Sequence, residues 1–102
     1  MMYADRMINI PEGIRNADGF KSVRHRIFVA LAANQYGLTV SELAKVLGHK
    51  GSTKDLSSTL NVMKKNGWVD NKTKAVCRIS HYKSQRWIPL MFAEVPWEIE
   101  EE

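Results

Sequence analysis

One cysteine, Cys77, stands among the 102 residues, which rules out an internal disulfide and any thiol-rich metal site built within a single chain. Its setting in "AVCRI" marks it as a small hydrophobe expected to be buried. Long apolar runs are missing too, with nothing near the roughly 20 residues that a membrane-spanning helix needs. The opening "MMYADRMINIPEG" puts an acid and a proline where a signal peptide would carry its apolar segment. The expected location is therefore cytoplasmic, with no membrane partner.

Catalytic patterns are also lacking. The three histidines lie far apart in sequence, and neither a Ser/His/Asp arrangement nor H-E-x-x-H occurs. The glycine-bearing "GHKGSTK" departs from the G-x-x-x-x-G-K-[ST] order of a phosphate loop. Cys77 and His81 have metal-like spacing, but two further ligands would be needed. The expectation is a protein without enzymatic activity, metal or cofactor.

Acids are scarce everywhere except at one end. Residues 93–102 hold five Glu and no Lys or Arg, so the chain's formal +4 leaves +9 on residues 1–92 once those five negative charges are set aside. A basic body suits a polyanionic partner. The 44% hydrophobic and 25% charged content is that of an ordinary globular protein, and the length fits one domain with one core.

The chain divides into an arm (1–20), a structured domain (21–92) and an acidic tail (93–102). In the arm, Ile8, Ile10 and Ile14 sit among Pro11, Gly13, Asn16, Asp18 and Gly19, a pattern that predicts at most a short strand or helical turn. From Lys21 to Tyr36 the spacing of Val23, Ile27, Ala30, Leu31 and Asn34 predicts a first helix. Gly37 closes it in the left-handed conformation, with Leu38 folding back as the cap contact. Thr39 and Glu42 then form an S/T-x-x-E capping box, Leu43, Ala44 and Leu47 an apolar stripe, and Gly48 a stop. Ser52 or Thr53 caps a third helix, with Asp55 in its first turn. Leu56, Leu60 and Met63 give that helix its inward face, and Gly67 ends it. "KAVCRIS" and "QRWIPL" predict a β-hairpin around the polar tip "HYKS", Pro89 placing the second run at a sheet edge. Trp68 and Trp87 are expected to pack together beneath it.

This order predicts a mainly α fold with a small β-hairpin, a winged helix-turn-helix. "LTVSELAKVLG" followed by "STKDLSSTLNVMKKNGWV" resembles the winged-helix DNA-binding regulators of the MarR and ArsR type over roughly residues 23–90. The resemblance implies that the third helix is a recognition helix. It also implies that the hairpin tip, "SHYKSQR", lies along the DNA backbone or inserts an arginine or lysine into the minor groove, with Lys83 and Arg86 as candidates and Tyr82 as a phosphate hydrogen bonder.

The residues themselves support a groove-facing helix. With Leu56, Leu60 and Met63 turned inward, Lys54, Ser57, Ser58, Asn61, Lys64 and Lys65 remain outside, and no acid follows Asp55 on that helix. Asn can bond adenine at two points, Ser can serve bases or phosphates, and Lys meets phosphates or guanine. The plain alternative is a solvated polar face, as it is a polar turn without a partner for the hairpin tip. Arg24, His25, Arg26 and Lys50 are candidates for flanking phosphates, with Lys72 and Lys74 as further cases.

The functional expectation is a sequence-specific double-stranded DNA-binding protein, a small transcriptional regulator binding as a homodimer to a near-palindromic site. One alternative is a winged helix used as an adaptor or inhibitor, engaging a protein partner through the tail around Trp97. Another is a replication or plasmid-maintenance factor.

Overall fold

The computed structural model describes residues 8–20 and 22–90. Three helices and one antiparallel hairpin follow in the expected order: α1 (Val23–Ala32), α2 (Val40–Leu47), α3 (Thr53–Lys65), β1 (Val69–Val76) and β2 (Lys83–Pro89). The expectations for residues 1–7, for Trp97 and for the acidic tail lie outside the described residues. Among the described residues, no helix is long and apolar enough to cross a membrane.

Local chemistry sets the helix ends. At the start of α2 the Thr39 hydroxyl accepts from the Glu42 amide at 3.3 Å, and the Glu42 carboxylate accepts from the Thr39 amide at 3.0 Å. That is the expected reciprocal box. Gly48 then turns left-handed at φ 68° and sends its N–H back to Ala44 and Lys45. Helix α3 is capped by Ser52 rather than Thr53, the hydroxyl accepting from the Lys54 amide.

Helix α1 is shorter than its periodicity suggested, and one of its inward residues points out. The Asn34 carboxamide donates to the carbonyls of Ala30 and Asn9, while its oxygen accepts from the Asn9 amide. A side chain that bonds its own preceding turn competes with the helix, and the chain leaves it at Ala33. Val23, expected in the core, is 58% exposed. It is the first residue of the helix, one turn beyond the face that Ile27, Ala30 and Leu31 bury.

Gly37 closes this turn at φ 110°, and its Cα lies against the Arg86 side chain, where a Cβ would collide with Cγ and Cδ. Gly37→Ala should therefore cost at least about 1–2 kcal/mol from the left-handed backbone alone, read as a lower urea midpoint. An unchanged midpoint would mean that Gly37 does not hold this left-handed conformation against Arg86.

The core joins Ile27, Ala30 and Leu31 of α1 to Leu43, Val46 and Leu47 of α2, Leu56, Leu60 and Met63 of α3, and Trp68, Val69 and Trp87 of the hairpin. Ile14, in the segment read from sequence as an arm, is buried with them. A short 3-10 turn at Ala17–Gly19 carries the chain from it toward α1.

The hairpin departs most from expectation. Strand β1 begins at Val69, directly after Trp68, and takes in "DNKT", whose Asp and Asn suggest a turn. The register is irregular between Asp70 and Thr73, and such a bulge accommodates these residues within a strand. Asn71 is buried there, its amide donating to Gln85 Oε1 at 3.2 Å. Because β1 starts early it also ends early, so the tip spans residues 77–82 instead of 81–84. Cys77 closes it by donating its N–H to Tyr82 and accepting from His81. Leu38 adds a single antiparallel bridge beside β2, exchanging backbone bonds with Trp87 at 3.0 and 2.8 Å.

Candidate nucleic-acid interface

Arginine and lysine have different positions in this fold. A planar guanidinium can fork onto paired oxygens, whereas an ammonium is a strongly hydrated point charge. Arg15 donates to the carbonyls of Lys45 and Val46, and Arg26 bridges Ile14 and Leu47 at 2.6 Å to each. Together they satisfy the Val46 and Leu47 carbonyls at the end of α2 and add a second bond to the Lys45 carbonyl, which also accepts from Gly48. Arg24 lies over the Trp68 ring at 5.8 Å, and His25 meets Phe20 edge-on at 5.4 Å. The "RHR" run, read from sequence as a phosphate-facing patch, thus has contacts inside the fold.

Arg78 is held most firmly. Its guanidinium reaches both carboxylate oxygens of Glu42, at 2.9 and 3.0 Å, and its backbone N–H donates to Oε2 at 2.6 Å. A further bond runs to the Gly37 carbonyl. Burial alone would raise the Glu42 carboxyl, but the bonds from the Arg78 side chain, the Arg78 amide and the Thr39 amide outweigh it and hold the group below its ordinary range. The same glutamate therefore caps α2 and clamps the hairpin tip to it. Beside this clamp the buried Cys77 thiol accepts from the Thr39 hydroxyl at 3.0 Å. Burial would raise it as well; bonds from Ser80, Thr39 and Ile79 bring it below the usual thiol range.

Lysine takes the opposite role. All eight described lysines, at 45, 50, 54, 64, 65, 72, 74 and 83, are exposed. Taken in order around α3, Lys64, Ser57, Asn61, Lys54, Lys65 and Ser58 make one continuous outer face, with Ser57 half-buried and the others exposed. Lys64 and Lys65 also complement the negative end of the helix dipole. Lys50 is exposed in the turn before α3.

Strand alternation decides what the hairpin adds. Residues 83, 85 and 87 share one face of β2 and residues 84, 86 and 88 the other. Trp87 is buried, while Gln85 and Lys83 on its face are exposed. Lys83 thus belongs to the face of the strand that meets the core. Arg86, expected beside Lys83 at the tip, stands mid-strand on the opposite face. It donates to Thr73 Oγ1 at 2.9 and 3.2 Å and lies over the Tyr36 ring at 5.6 Å. Tyr82 does reach the tip and is 76% exposed.

Between α3 and β2 runs a cleft of about 210 Å³ lined by Val40, Ser57, Asn61, Ser84, Gln85 and Trp87. Ser84 belongs to the polar tip read from the sequence, whereas Gln85 has no role in that reading. Counting back by twos from the inward Trp87 would have found Gln85. Among the described residues, no group of three or more His, Cys, Asp or Glu comes together.

Comparison of the chain with protein-family models, with curated proteins and with solved structures gave no match.

Proposed function

We propose that the protein is a winged helix-turn-helix module that binds double-stranded DNA in a sequence-dependent way, as a small transcriptional regulator. The observation that carries this reading is the outer face of α3, where three lysines, two serines and an asparagine stand together with no acid after Asp55. Helix α3 has 13 residues, about 20 Å of helix, and the major groove of B-DNA admits one helix. In this reading Lys54, Lys64 and Lys65 meet phosphates and Asn61 reads a base edge, while Lys83 extends the basic surface along the hairpin and Lys50 meets the backbone beside it. One such module covers few base pairs, so a homodimer on a near-palindromic site is the proposed arrangement.

Selection from a pool of random duplexes tests this directly. An enriched, two-fold symmetric motif is expected. Asn61→Ala should then relax preference at one position per half-site by about 1–3 kcal/mol and leave the others intact. Uniform weakening on every duplex would remove Asn61 from base reading.

A second reading, contact with another protein, has its own support at the end of the hairpin. Val76, Ile79 and Tyr82 are apolar or aromatic and exposed there.

A further inference from the structure

The cleft between α3 and β2 has a chemistry unlike the lysine face beside it. Its lining includes no cation, which speaks against a phosphate. Val40, half-buried, and Trp87, buried, make it partly apolar, whereas Ser57, Asn61 and Gln85 supply neutral polar side chains. A ligand suited to it carries a small apolar group next to a hydrogen-bonding atom.

One of those polar groups is oriented in advance. Asn71 is 5% exposed and donates to Gln85 Oε1. With that oxygen engaged, the Gln85 amide N–H bonds are what it offers outward, so it favours an acceptor over a donor. Asn61, across the cleft, is exposed, and its side chain is hydrogen-bonded to no other described residue. Of the four bases, thymine alone presents in the major groove a methyl group beside an acceptor, its O4. Cytosine presents a donor and no methyl, and guanine presents acceptors without a methyl.

We propose that this cleft is a thymine subsite: the C5-methyl enters against Val40 and Trp87, and O4 accepts from the Gln85 amide. Asn61 takes the edge of an adjacent base, adenine by preference. The assignment rests on the duplex DNA reading above and makes Gln85 a second specificity-determining residue, on the strand rather than on the helix.

The test uses the duplex recovered by selection, with each thymine replaced in turn by uracil, which removes only the methyl, and by 5-methylcytosine paired to guanine, which keeps the methyl but turns the acceptor into a donor. One thymine per half-site should be sensitive. Uracil there should weaken binding about three- to tenfold, the worth of a buried methyl. 5-Methylcytosine should weaken it about tenfold or more. Gln85→Glu keeps an acceptor for Asn71 and presents an oxygen outward, so it should shift preference at that position from thymine toward cytosine. Gln85→Ala should flatten the preference there. Thermal unfolding of both variants shows whether the fold is kept, and the Glu variant retains a readable result if the Ala variant loses it.

If no thymine is sensitive to uracil, or if both Gln85 variants keep the wild-type preference at every position while duplex binding persists, the subsite assignment fails and the DNA-binding reading stands. If the protein retains no duplex at low salt, both fall together.

Discussion

Glu42→Ala should lower stability by about 3–5 kcal/mol, the cost of removing one partner from a buried ion pair. The carboxylate is 2% exposed and its guanidinium partner 12%, so Arg78 would be left charged and enclosed while α2 lost its capping box. For a domain of this size that corresponds to a fall in melting temperature of at least about 12 °C, and to a large share of a total stability of about 5–15 kcal/mol. The double variant Glu42→Leu/Arg78→Met should recover part of the loss, since an apolar pair leaves no unpaired charge. A loss below about 1 kcal/mol for the single change would show that the clamp does not hold the tip.

The same pair sets a pH dependence with a definite sign. The folded Glu42 carboxyl lies below its ordinary value, so the unfolded chain binds the proton more readily. Its contribution is fully present above the ordinary Glu value of about 4.3 and declines as pH falls through the lower folded value. Urea midpoints measured from pH 6 downward should fall over that window in the wild type. In the double variant that part of the fall should be missing.

Replacing Lys54, Lys64 and Lys65 together by Ala should cost no more than about 1–2 kcal/mol of stability, the share of Lys64 and Lys65 in the helix dipole, because all three side chains are exposed. Duplex affinity should nevertheless drop on the order of a hundredfold at low salt, and the log–log salt slope should shrink by about 3. A triple variant that binds as tightly as the wild type would separate the α3 face from the nucleic acid.

What could be read in the sequence follows the range of the interactions involved. The capping box at Thr39 and Glu42, the glycine stop at 48, and the Leu56, Leu60, Met63 face depend on neighbours three or four residues away, and the structure reproduces them. The hairpin boundaries depend on partners in the other strand. "DNKT" has the composition of a turn, but the pairing of Asp70 with Ile88 and Thr73 with Arg86 across a local bulge, with the bond from Asn71 to Gln85, makes it a strand. The clamp from Glu42 to Arg78 spans 36 residues, and nothing in local spacing marks it. The exposed face of α3 was legible because the inward face was. The opposite placement of Lys83 and Arg86 was available from the two-residue period of a strand, but both were read as tip residues. The inward roles of Arg15 and Arg26 lie in carbonyls about 12 to 31 positions away, beyond any motif.

The most direct measurement is a salt titration of the wild-type chain binding a mixed-sequence duplex. The account predicts measurable binding at low salt, with log affinity falling against log salt at a slope of about −4 to −6, as expected for some five or six neutralised phosphates. A slope near zero, or no binding at low salt, would contradict it and leave the exposed face of α3 a solvated surface.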